Sequence, residues 1–474
     1  MEYREIRKLV SRIVPGLRPF FRTGRKVQAV REKGRKKNYS QFNLLDKEWQ
    51  RQERLLKTEQ IDSFLEISLR AQACPMPFNM DVWDGLKCPF GCKYCYADAF
   101  RASLYTAFFD NSKTLGLRHC NPDYYKAEME KMLPLRGKDS SSLSGIRKAF
   151  ALEIPVRLGI RFEDFIPTER KKGVSLTMLK YLKEIAYPVM INTKSDLVGE
   201  DAYVRALSEN PARAAVHITM LSSNENFNKT LEPGAPSYAR RLQAAKNLIE
   251  AGVRVVPRIE PFMFLLNDIP EEVEQYIHDI TEIGVKNITF DTYSYTANNP
   301  GIRQSFINEG IDYDRLFTAG CDSQRLGSEL LKGYMDIFRK HGISCSTFDL
   351  GNAATNDQDI CCEVGDWFQG GWNYGCVVMA ARFITSRKGS PVTWGQFRDW
   401  VYEKGGFLTP ALEQEVHKLW NIEEDSNVAY SLVWTGGMVP VGWDDEGVVW
   451  SYLPESDERK ELVQSLKGGL GNES

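Results

Sequence analysis

The chain has 474 residues, 42% of them hydrophobic, and a formal net charge of only −2. This length is ample for a large core, and the near-neutral charge excludes a protein whose whole surface attracts nucleic acid or an anionic membrane. No run of about eighteen apolar residues occurs, and ten cysteines are too sparse for a disulfide scaffold. We therefore expect a soluble, cytoplasmic protein that does not interact with membranes.

The first segment of the chain is basic. Residues 1–37 contain thirteen Lys or Arg and three Glu, a net charge of +10. This arm could lie on the phosphates of nucleic acid, although a solvated tail explains the charge equally well. Residues 45–70 follow the pattern of a charged amphipathic helix, with Ile61, Phe64 and Leu65 on its apolar face. We assign residues 1–75 to a basic, helical N-terminal extension.

Three cysteines lie close together in Cys-x3-Cys-x2-Cys spacing: Cys88, Cys92 and Cys95. A structural zinc ion takes four protein ligands, whereas a 4Fe-4S cluster held by three cysteines leaves one iron open to another ligand. Pro89 and Gly91 favour a loop on which all three sulfurs can converge. A zinc knuckle with a distant fourth ligand and unliganded thiols are the alternatives, but spacing and flanking residues favour the cluster.

From about residue 78 the sequence alternates between short apolar runs and amphipathic helical patterns. Strands separated by helices predict a parallel sheet with right-handed crossovers, and the cysteine loop directly follows the first strand. Residues 107–150 show no clear period, and we predict an irregular excursion there. The predicted strands are 78–83, 152–159, 188–192, 215–220, 253–259 and 287–292, and the predicted helices are 97–106, 176–185, 201–208, 238–251 and 271–283.

The cysteine array resembles that of radical S-adenosylmethionine (SAM) enzymes. Its local form, Gly-Cys-Lys-Tyr-Cys-Tyr-Ala, looks like the spore photoproduct lyase branch and its DNA repair photolyase-like relatives. The resemblance covers about residues 80–270. It implies an α/β fold with a partial (β/α)6 TIM-type barrel at 76–296, followed by a C-terminal α+β extension at 297–474. Its further landmarks are Leu158-Gly159, Thr193-Lys194-Ser195, residues 231–236 leading to Arg241-Leu242, and residues 266–268.

The resemblance also implies the cofactors. Cys88, Cys92 and Cys95 would hold a 4Fe-4S cluster whose open iron binds SAM. An electron from an external flavodoxin or ferredoxin type donor would then cleave SAM, giving methionine and a 5'-deoxyadenosyl radical that takes a hydrogen atom from the substrate. By the same analogy Lys194 pairs with the SAM carboxylate, and the other cofactor-binding positions are Ser195 and Thr219 at the ribose and Gly159.

The favoured substrate is a nucleic acid or nucleotide, from the branch resemblance first and the basic arm second. Tyr96, directly after the last cysteine, could relay the radical or pack on the adenine. The hydrogen donor of the resembled lyase is another cysteine, for which Cys120 is the candidate here, although it lies closer to Cys95 than the family pattern places it. A modifying enzyme of nucleotides or peptides is therefore as credible as a thymine-dimer lyase.

Five more cysteines lie within 56 residues near the C-terminus, and they suggest a second metal centre. We expect an auxiliary iron-sulfur cluster on Cys345, Cys361 or Cys362, and Cys376, with buried thiols that act as small hydrophobes as the alternative. A peptide-modifying radical SAM enzyme with such a cluster is the rival enzyme class. A zinc-stabilised nucleic-acid-binding protein without catalysis is the rival from another class.

Overall fold

The computed structural model describes most of the chain between residues 58 and 453. The basic arm at 1–37 lies outside the described residues, as do Tyr96, residues 98–106 of one predicted helix and the C-terminal tail. The described residues are 58–61, 66–69, 74–85, 87–95, 97, 117–140, 142–143, 145–263, 266–293, 302, 320–368, 372–404 and 438–453.

The strands alternate with helices along the middle of the chain. In chain order the strands are β1 (Thr58–Ile61), β2 (Glu66–Leu69), β3 (Phe78–Asp81), β4 (Trp83–Asp84), β5 (Leu117–Cys120), β6 (Val156–Leu158), β7 (Val189–Thr193), β8 (Ala214–Thr219), β9 (Arg254–Phe262), β10 (Asn287–Thr292), β11 (Ser344–Thr347), β12 (Met438–Asp444) and β13 (Gly447–Tyr452). The helices are α1 (Pro122–Glu130), α2 (Gly145–Ala151), α3 (Glu169–Lys172), α4 (Val174–Glu184), α5 (Asp201–Ser208), α6 (Glu225–Leu231), α7 (Tyr238–Glu250), α8 (Pro270–Glu282), α9 (Gly320–Lys340), α10 (Val377–Ser386) and α11 (Trp394–Glu403).

An eight-stranded sheet in the order β11-β10-β9-β8-β7-β6-β3-β2 forms the centre of the structure. Its seven strands from β3 to β11 run parallel, and β2 pairs antiparallel with β3 at one edge. Within the described residues the sheet is open, because β2 and β11 each have one neighbour. β1, β5 and β4 form a second small sheet, and β12 and β13 form a hairpin. The predicted α/β class with a parallel sheet is confirmed, and its order is consistent with a partial barrel.

Local sequence explains the central elements. All five residues of β7 are buried, as expected of a parallel strand covered on both faces. Helix α7 begins after Ser237, whose side chain accepts a hydrogen bond from the Arg240 amide, and it ends before Gly252, which has a φ of +82°. Because such signals are local, the predicted bounds of these elements lie within a few residues of the observed ones.

Two local predictions are wrong. The segment predicted as a helix over 45–70 contains β1 and β2, which pair with β5 and β3. The segment predicted as irregular over 107–150 contains β5, α1 and α2. The three strands β1, β2 and β5 form by tertiary pairing, and four residues carry too little periodicity for a strand to be recognised from sequence. The sheet also continues past residue 296, because β11 pairs in parallel with β10.

The two faces of the sheet pack against different partners. One face carries residues such as Ile191, Val216 and Val255, and it packs into the main core with the helices. The other, which we call the inner face, carries Met190 and Ala215 and packs against residues of the C-terminal part of the chain. Parallel strands place functional side chains at their carboxyl ends, and the cysteine loop lies there. No helix of the described residues is both long and apolar enough to cross a membrane.

Candidate active site

The cysteine loop follows β3 and β4 directly. Cys92 is nearly buried, with 9% of its surface exposed, whereas Cys88 and Cys95 are half-buried. Two turns shape the loop: the Gly91 amide donates to the Cys88 carbonyl at 3.1 Å, and the Cys95 amide donates to the Cys92 carbonyl at 3.2 Å. Gly91 has a φ of +56°, which favours glycine. The turns bring the three thiols near one another, beyond the carboxyl end of β3.

Residues 231–236, which we call the clamp segment, hold the loop through the backbone. The Lys93 amide donates to the Leu231 carbonyl at 2.8 Å, and the Gly234 amide donates to the Phe90 carbonyl at 2.9 Å. A Cβ at Gly234 would lie 2.2 Å from the Pro89 carbonyl oxygen. Only glycine permits this approach, so the clamp segment fixes the position of the loop without using its thiols.

A buried ion pair lies beneath this contact. Arg241 and Glu232 are 1% and 0% exposed in their side chains, and the Arg241 Nη2 lies 2.6 Å from the Glu232 Oε2. The Arg241 Nη1 also donates to the Thr219 carbonyl at 2.7 Å. The Tyr94 hydroxyl donates to the other Glu232 oxygen. The pair thereby links the end of β8 and the clamp segment to the cysteine loop.

Lys194 is the cation beside the thiols. Its Nζ lies 5.5 Å from the centre of the Tyr94 ring, within cation–π range. Burial alone lowers the pKa of Lys194, but the neighbouring Cys92 and Glu232 raise it, and its net pKa lies above the ordinary value. An ammonium group at a strand end next to Cys92 and Cys95 can bind a carboxylate.

Burial is also the main influence on the middle thiol. It raises the pKa of Cys92, Lys194 lowers that pKa, and Glu232 and the thiols of Cys88 and Cys95 raise it again, with a net value well above the ordinary one. The three thiols are therefore electrostatic neighbours. Within the described residues no three His, Cys, Asp or Glu side chains already surround a common point in a metal-holding geometry. The thiols adjoin one another without forming a closed metal cage.

Glu163, which the sequence analysis missed, holds the turn that carries Lys194. Its Oε1 accepts from the Thr193 hydroxyl at 2.6 Å, and its Oε2 accepts from the Lys194 amide at 2.9 Å. The Phe165 amide also donates to Oε1, at 3.1 Å. Burial raises the pKa of Glu163, and these hydrogen bonds partly offset that shift. Nothing local distinguishes this glutamate, because its partners follow a different strand.

The other predicted cofactor positions lie at the carboxyl ends of the neighbouring strands β6, β7 and β8. The Ser195 hydroxyl accepts from the Leu197 amide at 3.2 Å, and the Thr219 carbonyl accepts from Arg241. Both residues are buried. Gly159 has a φ of +78°, and a Cβ there would lie 2.0 Å from the Asn192 carbonyl oxygen. Its clearest role is the close approach of β6 to β7, and contact of any of these residues with SAM stays a prediction.

The comparisons with known proteins are partial. No family model matches the chain. The uncharacterized protein ORF301 of Acidianus two-tailed virus is 24% identical over 178 residues, which cover 37% of this chain and 54% of the viral protein, so the chain spans about half of that relative. Among solved structures, spore photoproduct lyase complexed with dinucleoside spore photoproduct is 14% identical with a TM-score of 0.42, covering 60% of this chain and 79% of the lyase. SuiB of Streptococcus suis bound to SAM is 16% identical with a TM-score of 0.36, and the match covers 58% of this chain and 51% of SuiB. These likenesses decide neither the reaction nor the substrate of this chain.

The two predicted catalytic residues are placed differently. Tyr96 lies outside the described residues. Cys120 is fully buried at the end of β5, where it contributes to the main core. Burial, with Asp164 and Glu169 nearby, raises the pKa of its thiol, so the thiol is held protonated. The structure therefore packs Cys120 into the interior, and its role as a hydrogen donor stays a prediction.

Two charged residues of β9, Arg258 and Glu260, are both half-buried. The Arg258 Nη2 forms an ion pair with Glu260, which also accepts from the Thr289 hydroxyl at 3.0 Å. Asp291 follows on β10, and burial raises its pKa, as do Glu260 and Asp349 nearby. Arg258 and Glu260 are therefore paired with each other and lie near the carboxyl group of Asp291.

The predicted auxiliary cysteines do not form one group. Cys345 packs in the main core, and its thiol donates to the Ile343 carbonyl at 3.4 Å, while Arg339 and Asp357 are its charged neighbours. Cys361, Cys362 and Cys376 instead lie in a separate core cluster that also contains Cys74. Cys74 is 287 residues before Cys361 in the chain. No short spacing could have connected it to them.

Proposed function

We propose that this protein is a radical SAM enzyme. The observation that carries the proposal is the set of three neighbouring thiols at the carboxyl end of the first parallel strand, next to the ammonium of Lys194 and above the Glu232–Arg241 pair. Three cysteine ligands fit a 4Fe-4S cluster with one open iron, and a cation beside that iron fits the carboxylate of SAM. The cluster and SAM together supply a 5'-deoxyadenosyl radical when both are bound.

Each residue of the candidate site then has a proposed role. Cys88, Cys92 and Cys95 would ligate the cluster, and small rotations of the two half-buried side chains would complete the ligand set. Lys194 would neutralise the SAM carboxylate, and Tyr94 would hold the ammonium near the cluster through its ring. Ligand geometry is tuned by groups that contact the ligands, so the clamp segment and its ion pair would keep the loop in one position.

The substrate we favour is a nucleic acid. The support comes from the sequence: the resemblance to the spore photoproduct lyase branch and the net charge of +10 over residues 1–37. An external flavodoxin or ferredoxin type protein would deliver the electron. The peptide-modifying alternative makes the same radical from the same site, so only the substrate distinguishes the two.

The first experiment tests the chemistry without a substrate. Anaerobically reconstituted protein is incubated with dithionite and SAM, and 5'-deoxyadenosine is measured by chromatography. We expect 5'-deoxyadenosine from the native chain and only background from Cys92→Ala. Absence of both iron-sulfide assembly and 5'-deoxyadenosine in the native chain would overturn the proposal.

A second experiment tests the substrate and Cys120. Oligonucleotides deuterated at candidate carbons are added, and deuterium transfer to 5'-deoxyadenosine identifies the attacked position. If Cys120 returns the hydrogen atom, Cys120→Ala changes the product distribution while SAM is still cleaved. An unchanged distribution would remove Cys120 from the mechanism, and lack of transfer from any oligonucleotide but transfer from a peptide would establish the alternative.

A further inference from the structure

Four cysteines meet on the inner face of the sheet, away from the cysteine loop. Cys74, Cys361, Cys362 and Cys376 are between 0% and 8% exposed and belong to one core cluster, which we call the thiol cluster. They come from the segment before β3, from the loop after β11 and from the residue that precedes α10. This set holds four of the ten cysteines of the chain, although no local spacing connects its first member to the others.

Three of the thiols lie in contact, and that of Cys376 is their electrostatic neighbour. The Cys74 thiol hydrogen-bonds that of Cys362, and Cys362 hydrogen-bonds Cys361. Cys376 raises the pKa of Cys361, and burial first and Cys74 second raise the pKa of Cys376. Asn373 ties the segments together, because its amide donates to the Pro75 carbonyl at 2.9 Å and its side chain to the Cys74 carbonyl at 3.2 Å.

A buried arginine faces this cluster. Arg157 on β6 is 7% exposed, and its Nε donates to the Asn79 side chain at 2.9 Å. Its Nη1 lies 3.5 Å from the Cys74 sulfur. Cys74 and Cys362 raise the pKa of Arg157 against burial. A guanidinium is always charged, and burying a charge is costly unless it is paired. Thiolates at Cys74 and Cys362, as ligands of a bound metal ion, would supply counter-charge to Arg157.

His217 is a second buried polar group at this place, and one of its ring nitrogens has no partner. His217 on β8 is 2% exposed, and its Nε2 has no hydrogen-bond partner, while its ring is bonded to the backbone of Cys362. An imidazole nitrogen without a partner, on a residue that contacts Cys362, is a second type of metal ligand at this place.

We propose that the thiol cluster binds a single thiolate-ligated divalent metal ion of the zinc type. Tetrahedral zinc with Zn–S bonds of about 2.3 Å places its sulfurs about 3.8 Å apart, close to thiol–thiol contact. A polynuclear iron-sulfur cluster would separate the sulfurs by the width of its inorganic core. The Cys74–Cys362 and Cys361–Cys362 contacts therefore favour a mononuclear ion over the auxiliary iron-sulfur cluster predicted from sequence, with Cys74 in the place of Cys345. His217 is the spare ligand.

Metal binding would require small side-chain rotations and would give Arg157 a negatively charged neighbour. The side chains do not yet surround one point, so side-chain rotations must close the site. Four thiolates around a divalent ion carry net negative charge, which Arg157 would offset. One ligand, Cys74, precedes the first parallel strand in the sequence, and the other three follow the last one. The ion would therefore attach residues 360–376 to the inner face of the sheet.

The test separates this site from the active site. Full-length protein with Cys88, Cys92 and Cys95 replaced by Ala is purified, and zinc, iron and acid-labile sulfide are measured. We expect about one zinc per chain, lost when Cys74→Ala is added and retained with the matched change Cys345→Ala. Iron and sulfide in comparable amounts would overturn the mononuclear assignment, and metal-free folded protein would overturn the site. Neither outcome affects the proposed SAM chemistry.

A second measurement guards against misfolding of the Cys74 variant. The same triple variant is stripped with a chelator, and cobalt(II) is added to the otherwise unaltered thiol cluster. We expect the charge-transfer and ligand-field bands of tetrahedral cobalt thiolate. Arg157→Gln should weaken cobalt binding about 10- to 100-fold, as loss of a contact to a ligand does, and Arg254→Gln, which removes an ion pair to Asp366, should not. Octahedral cobalt bands, or equal affinities in the two variants, would contradict the proposal.

Discussion

The two groups of thiols in this protein differ in nearly every respect except their chemistry. The cysteine loop lies within eight residues of sequence, is half-buried and faces the ammonium of Lys194. The thiol cluster comes from distant segments, is buried and faces the guanidinium of Arg157. The first arrangement suits a cofactor that must react with other molecules, and the second suits an ion that only holds segments together. The difference in exposure is the reason why we place the proposed catalysis at the cysteine loop.

The strongest test of this comparison removes one thiol from the loop. Cys92→Ala should abolish cluster assembly and reduce formation of 5'-deoxyadenosine to background, because two thiols cannot hold a cluster with one open iron. Iron and sulfide content and 5'-deoxyadenosine are measured together. Cys345→Ala, which removes an isolated buried thiol, should leave both unchanged. Equal activity of native and Cys92→Ala proteins would show that the loop is not catalytic.

The next test addresses the buried ion pair below the loop. Arg241→Leu leaves Glu232 uncompensated in the interior and should lower the free energy of unfolding by about 3–5 kcal/mol. The matched change Arg240→Leu removes a partly exposed pair with Asp196 and should cost at most about 1 kcal/mol. Denaturant unfolding of both variants measures the difference. Similar costs would mean that the pair contributes no more than a surface contact.

A smaller effect is expected where β6 approaches β7. The change Gly159→Ala places a Cβ at a residue with positive φ, only 2.0 Å from the Asn192 carbonyl oxygen. The backbone must move to accept it, and we expect the free energy of unfolding to fall by about 2–3 kcal/mol. Gly252→Ala has a similar φ of +82° but open space, and should cost about 1 kcal/mol. Thermal unfolding of the two variants compares steric conflict with backbone strain alone. Equal losses would remove close approach as the reason for Gly159.

The smallest expected effect is a difference in thiol reactivity. In metal-free native protein, Cys88 and Cys95 should be alkylated at least roughly tenfold faster than Cys361 or Cys376, because the buried thiols react only after local opening. Peptide mapping by mass spectrometry after short exposure to iodoacetamide follows each site. Uniform labelling would show that the thiol cluster is as accessible as the loop.

Local signals explain what could be predicted from sequence. The spacing of Cys88, Cys92 and Cys95, the alternation of strands and helices, and the Lys194 strand end all lie within short windows. Glu163, the Glu232–Arg241 pair and Cys74 could not be assigned because their partners are distant: Asn373 binds the Cys74 backbone across 299 residues. The short strands β1, β2 and β5 were missed for the same reason, since pairing rather than periodicity forms them.

The contacts of the clamp segment bear on the order in which the protein folds. The bond between Tyr94 and Glu232 closes a loop of 138 residues, and the backbone bonds at Phe90 and Lys93 span similar separations. Forming a contact between residues so far apart in sequence first costs the entropy of closing the loop, and the contact stabilises the fold only afterwards. The cysteine segment is therefore synthesised well before its support exists, and its thiols take their final positions only after the strand β8 and the turn behind it have joined the sheet.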